Sequence, residues 1–155
     1  MAGDQQAPRD PRQRDRQLIV ERARRPRHGG VLEPADATAT AHNPSCGDRV
    51  TLTLRLSPDR QQLEAVRCLT RGCVLCTASA DLMAEVVSGR TPAQALELGQ
   101  GFVALLQGAA SAAAADPALA PLRPLAGLPA RARCALLPWQ ALAEALALDC
   151  GTAQR

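Results

Sequence analysis

The eight residues Arg49-Val50-Thr51-Leu52-Thr53-Leu54-Arg55-Leu56 constrain this chain more than any other stretch, because every second one is apolar. Side chains of a strand alternate between faces, so Val50, Leu52, Leu54 and Leu56 must meet a core while Arg49, Thr51, Thr53 and Arg55 meet water. Such a strand needs partners and a covering layer. Ser57-Pro58-Asp59 supplies a turn, Leu63 to Leu69 reads as the antiparallel partner, and Ala35 to His42 reads as a third strand whose alternation rests on Ala and Thr. Beyond Gly72 the period becomes helical. Val74, Ala78, Leu82 and Val86 recur every fourth residue until Gly89 ends the run, and Thr91-Pro92-Ala93-Gln94 opens a second helix with a capping box and a Pro at its first position. Residues 109–130, with the run Ala109 to Ala115 and Pro117, Pro121, Pro124 and Pro129, read as a connection with one short helix. A last helix is expected from near Pro138, burying Trp139, Leu142 and Leu146. Ahead of the sheet, Leu18, Ile19 and Ala23 can share one side of a short helix that Pro26 and Gly29-Gly30 stop.

A chain of 155 residues can bury one ordinary core, so a single domain over residues 16–150 is expected, behind a disordered basic tail over residues 1–15. No apolar run approaches the roughly 20 residues of a membrane helix, and the first residues are too polar for a signal peptide; a soluble cytoplasmic protein is expected. Residues 1–27 carry eight Arg against four acids, while the rest is nearly neutral. That arm lacks aromatic residues to stack bases and matches no nucleic-acid motif, so neither nucleic acid nor membrane is expected as a partner.

Six cysteines in such a chain point to metal binding or thiol chemistry, not to a disulfide framework. Three of them fall at structural boundaries: Cys46 in the turn Asn43-Pro44-Ser45-Cys46-Gly47-Asp48, Cys73 between strand and helix, and Cys134 before the last helix. Boundary positions let side chains converge. Zinc takes four tetrahedral ligands at roughly 2.0–2.3 Å, and Cys46, Asp48, Cys73 and Cys134 would fill that shell. A thiolate at Cys73 also gains from the positive end of the helix it opens.

Several ordered motifs surround these residues: Arg25-Pro26-Arg27 with Gly30-Val31-Leu32, Asn43 to Asp48, Gly72-Cys73 with Ala78-Ser79-Ala80, and Pro129-Ala130-Arg131-Ala132-Arg133-Cys134 followed by Trp139 and Ala141-Leu142. Over roughly residues 16–148 the chain thereby resembles the SufU branch of the U-type iron-sulfur assembly proteins. Arg133 before the last Cys, where the IscU branch has His, and the long gap between Cys73 and Cys134 place the resemblance on that branch. It implies an α+β fold with a small three-stranded antiparallel sheet packed against several helices. It also implies a Zn²⁺ site, a SufS-type cysteine desulfurase (a pyridoxal-phosphate enzyme) as partner, and downstream iron-sulfur assembly proteins. Cys46 would accept the persulfide sulfur, and Asp48, a harder ligand than a thiolate, could detach from zinc more readily. Three thiolates and a carboxylate around Zn²⁺ leave a charge of about −2, which Arg131 would balance. Two departures stand out: Cys68-Leu69-Thr70-Arg71 replaces the family's aromatic-Gly-acid segment, and Cys76 stands where Ser is usual.

Rival readings remain open on the sequence. The same thiolates could carry an iron-sulfur cluster on a scaffold. Cys73-Val74-Leu75-Cys76 could be a redox pair, although the thioredoxin-like order of elements is missing; Cys76 is expected to be dispensable. Cys68 reads as a core strand residue, Cys150 as a terminal bystander, and His28 and His42 as structural or solvent-facing. Asp48 could be a turn residue only, and Arg131 and Arg133 ordinary surface charges.

Overall fold

The computed structural model describes residues 10–108 and 116–153, with side chains described up to residue 148. Its elements run α1 (Pro11–Arg24), β1 (Ala37–His42), β2 (Arg49–Leu56), β3 (Leu63–Arg71), α2 (Val74–Val87), α3 (Pro92–Leu106), a 3₁₀ segment (Pro117–Gly127) and α4 (Pro129–Ala153). The strands form one antiparallel sheet in the order β1-β2-β3, so the fold is α+β as expected. Val50, Leu52, Leu54 and Leu56 are all buried, joined on the same face by Ala39 and Ala41 of β1 and by Val66 and Cys68 of β3. Cys68 is thus the core strand residue its neighbours announced.

Helix α2 lies at the centre, packed against β3, α1 and α4. That position explains why Cys76, Ala78, Ala80, Leu82, Met83, Ala84, Val86 and Val87 are buried nearly all round the helix, beyond the single stripe that the four-residue period marks. Val74, the first residue of that stripe, stays 48% exposed at the helix start. Gly89, at φ +83°, ends α2 as the sequence pattern requires. The capping box at α3 is also formed: Thr91 Oγ1 accepts the Gln94 N–H at 3.1 Å, and Gln94 Oε1 accepts the Thr91 N–H at 3.0 Å.

Two expectations change, and the short helix expected in the connection takes a particular form. Helix α1 begins at Pro11 and not near Arg16, because Asp10 caps it by accepting the Arg12 N–H at 3.0 Å and Pro11 takes the first position, where a missing N–H costs nothing. Residues 11–15 are therefore helical; residues 1–9 of the expected tail lie outside the described residues, as do the run Ala109 to Ala115 and the side chain of Cys150. The connection before the last helix is a 3₁₀ segment. At three residues per turn Leu119, Leu122 and Leu125 fall on one side, and all three are buried. Finally, α4 starts at Pro129, so Cys134 lies within the helix and not before it. Pro138 is an interior residue that deprives the Cys134 carbonyl of its helical donor. The buried Ser79 hydroxyl donates to the neighbouring Ala135 carbonyl at 2.5 Å, tying α2 to α4 at this point.

The N-terminal helix is held by a buried ionic cluster. Arg22 donates to Asp81 at 2.9 Å and to Glu85 at 2.7 Å, while Asp81 also accepts the His28 backbone N–H at 2.7 Å. Burial works against the Arg22 charge, but the Asp81 hydrogen bond and the fields of Glu85 and Asp81 more than reverse this and raise its pKa. The segment after α1 then runs alongside β3, the Cys68 N–H reaching the His28 carbonyl and the Gly30 N–H reaching the Cys68 carbonyl.

Candidate metal centre

The hairpin between β1 and β2 is closed by its own polar groups. Asn43 Oδ1 accepts the Ser45 N–H at 3.1 Å, the Gly47 N–H reaches the Asn43 carbonyl at 2.8 Å, and the Asn43 N–H reaches the Asp48 carbonyl at 2.9 Å. Gly47 adopts φ +78°, a conformation that L side chains rarely take, and this turns the chain so that Cys46 is exposed at the tip while Asp48 points inward. Asp48 is only 5% exposed. Its Oδ1 accepts the Cys73 backbone N–H at 3.2 Å, and its Oδ2 is buried without a hydrogen-bond partner.

At the far end of β3, Gly72 makes room for that carboxylate. A Cβ at position 72 would lie 2.7 Å from Asp48 Cγ and 2.8 Å from its Oδ1. Cys73 follows as the N-cap of α2, its Sγ accepting the Cys76 N–H at 3.5 Å. From α4 comes Cys134, half-buried, its Sγ 3.7 Å from the Ala130 carbonyl.

The ligand atoms of Cys46, Asp48 and Cys134 lie within 4.8 Å of one another. That group brings together three of the expected ligands; Cys73 stands at its edge, its sulfur engaged as a helix cap and its N–H held by Asp48. Burial, then a hydrogen bond that the Cys134 thiol donates to Cys73, with the neighbouring Asp48 and Cys46 adding to it, push the Cys134 thiol up to about 12. These groups crowd one another as anions. Such a set, with an orphaned buried carboxylate oxygen at its centre, has the donor chemistry of a cation site.

Arg131 is exposed on the first turn of α4, and has no ion-pair partner among the described residues. Cys76 is fully buried one turn above Cys73, and burial, followed by the negative groups of Asp48 and Cys73, raises its pKa far above the ordinary thiol range. Cys68 is pushed up to about 12 by burial, with Asp81 adding to it. Both stay protonated well above neutral pH and lie out of reach of reagents in water. We expect iodoacetamide at pH 8 to leave Cys68 and Cys76 unmodified in the folded protein and to label both in denaturant; rapid labelling of Cys76 in the native state would contradict this burial.

The motif reading names Gly72 but not the reason for it, and it passes over the structural cluster of Arg22, Asp81 and Glu85. An acid inside the apolar stretch Ala78 to Val87 is the signal for the cluster, since a buried carboxylate requires a cation. Gly72→Ala should displace Asp48, cost about 1–3 kcal/mol of stability and sharply weaken metal retention. Wild-type metal content and melting temperature in that variant would contradict the close approach.

Comparison with known proteins follows the same lines. The NifU-like N terminal domain family model matches residues 14–119. The iron-sulfur cluster assembly scaffold protein IscU of Streptococcus pyogenes serotype M1 is 33% identical over 132 residues, covering 83% of this chain and 80% of that protein. The zinc-dependent sulfurtransferase SufU of Bacillus subtilis strain 168 is 33% identical over 139 residues, covering 88% and 91%. Among solved structures, the putative iron-sulfur cluster assembly scaffold protein for the SUF system from Fervidobacterium islandicum AW-1 superposes with a TM-score of 0.76 at 28% identity, covering 83% of this chain and 93% of that one. With the family model matching well over half of its length, and two relatives 33% identical covered over 80% and 91% of their own length, the chain belongs to the NifU-like N-terminal domain family.

Proposed function

We propose that this protein is a zinc-dependent sulfurtransferase of iron-sulfur cluster assembly, holding Zn²⁺ with Cys46, Asp48, Cys73 and Cys134 and accepting sulfur on Cys46. The carrying observation is Asp48 Oδ2, a buried carboxylate oxygen with no partner, set among thiols that lie within 4.8 Å. A bound zinc ion supplies the positive charge that keeps these thiols ionised. The relative named a zinc-dependent sulfurtransferase, alike over 88% of the chain, supports the same reading.

The chain's own residues divide the work by exposure. Cys46 sits exposed at the hairpin tip, where a donor persulfide can reach it, while Asp48 is buried behind it and anchored to the Cys73 N–H. The Cys46 thiolate attacks the terminal sulfur of a donor persulfide; a new S–S bond forms at Cys46, the donor's S–S bond breaks, and the donor cysteine leaves as a thiolate. Sulfur moves without net oxidation or reduction. The donor is a SufS-type, pyridoxal-phosphate cysteine desulfurase, the recipients are downstream iron-sulfur assembly proteins, and the setting is the reducing cytoplasm. Among the described residues no helix is long and apolar enough to cross a membrane.

The test is mass spectrometry of the Cys46 peptide after incubation with desulfurase and L-cysteine. One added sulfur atom on Cys46 supports the reading, and an unmodified Cys46 beside a sulfur-loaded donor counts against it. Arg131, three residues before Cys134 on the first turn of α4, is our candidate for the cation that balances the charge of this site. Arg131→Ala should slow sulfur acceptance several-fold and speed zinc loss to a chelator. Unchanged values for both would remove Arg131 from the site.

A second reading, an iron-sulfur scaffold using the same thiols, draws on the relative named IscU. The oxygen donor Asp48 favours zinc, because clusters are ordinarily held by thiolates.

A further inference from the structure

The open part of the sheet's outer face carries a histidine and two arginines in one row beside the metal centre. Register sets His42 opposite Arg49, and Arg49 opposite Arg71, one residue from each strand, at the sheet end from which Cys46, Asp48 and Cys73 emerge. Strands lie about 4.8 Å apart, so the row spans about 10 Å. All three side chains are exposed, and none has a hydrogen-bond or ion-pair partner among the described residues. Like charges directly opposite one another destabilise a sheet. The row therefore costs stability and nothing within the described chain offsets it.

The remainder of this face is occupied. Arg55 donates to the Pro34 carbonyl at 3.0 Å, Arg67 donates to the Gly29 carbonyl at 2.9 Å, and the Leu32 N–H reaches the buried Thr53 Oγ1 at 2.9 Å. The segment before β1 thus covers the sheet as far as Thr53. Beyond it the next row, Thr40-Thr51-Leu69, stays open, with Leu69 45% exposed. No acid stands in the cationic row or in the next two outward rows, Thr40-Thr51-Leu69 and Thr38-Thr53-Arg67. Around the corner, Arg133 lines a cleft of about 390 Å³ together with His42, Asn43 and Pro44, carrying the positive surface to the other side of the Cys46 hairpin.

Building on the function proposed above, we infer that this row is the docking surface for an acidic segment of the sulfur-donating desulfurase, its carboxylates meeting Arg49 and Arg71 while an apolar side chain covers Leu69. Two permanent cations side by side select paired carboxylates. Leu69 calls for more than a small anion, and the lack of aromatic side chains on the patch disfavours a single-stranded nucleic acid. Its position beside Cys46 and Cys73 means that an occupant is held where the exposed thiols are.

The experiment measures binding of the full-length, zinc-loaded chain to the cysteine desulfurase of the same organism at low and high salt. Arg49→Gln/Arg71→Gln should bind at least about tenfold more weakly, with a shallower salt dependence. Its zinc content should be unchanged and its melting temperature equal or higher, because a repulsion is removed. Leu69→Ser should weaken binding with the wild-type salt dependence, and Arg123→Gln, exposed on the 3₁₀ segment, should change nothing. Wild-type affinity in the double variant overturns the docking surface while leaving the sulfur-transfer reading intact. Loss of zinc with docking retained overturns it in favour of charge balance at the metal, and binding of an RNA oligomer by the row in place of the desulfurase overturns it as well. Failure of the wild-type chain to bind the desulfurase at all removes the functional reading together with the surface.

Discussion

Cys46→Ala should reduce sulfur acceptance from a cysteine desulfurase to background. Cys46 is exposed at a turn tip, whereas Cys134 is half-buried on α4, and Cys68 and Cys76 are enclosed in the core. Cys73 is exposed, but its sulfur caps α2 and its backbone N–H anchors Asp48, so it is held as a structural ligand. The variant should fold normally, since position 46 contributes nothing to the core, and should hold zinc less tightly with one ligand gone. Desulfurase turnover in the presence of the variant, followed as sulfide release, is the measurement. Full stimulation together with a protein-bound persulfide would move the acceptor role to another cysteine.

The largest effect on stability is expected from Arg22→Ala. The Asp81 side chain is wholly buried, and Arg22 is the cation that neutralises it at 2.9 Å. Removing one partner of a buried pair leaves an uncompensated charge and costs about 3–5 kcal/mol, a large share of the roughly 5–15 kcal/mol that hold a domain together. A fall of about 10–20 °C in melting temperature follows for a domain of this size. Zinc binding in the cold should survive, because the cluster pins α1 to α2 and supplies no ligand. A melting temperature within a degree or two of wild type would mean that α1 is not held by this pair.

The sheet was legible because alternation admits one solution: with Val50, Leu52, Leu54 and Leu56 inward, the faces of both neighbouring strands follow from register. Caps and stops of the helices were legible for a similar reason, each resting on a local residue such as Thr91 or Gly89. What escaped was non-local. Pro138 looks like a helix start because Pro favours first turns, yet Pro129 holds that position in α4, and the Ser79 hydroxyl on another helix donates to the Ala135 carbonyl in the turn before Pro138. The ligand residues could be named from their motif. The reason Gly must stand at 72 became visible only with Asp48 folded against it. Arg22 reads as one more arginine in a basic arm until α2 sets Asp81 and Glu85 beside it.

Metal analysis of protein purified without air tests the central claim most directly. One tightly bound zinc per chain, lost in Asp48→Ala, is the result this account requires. A brown protein carrying iron and acid-labile sulfide in place of zinc, or a metal-free chain that still accepts sulfur on Cys46, would contradict it.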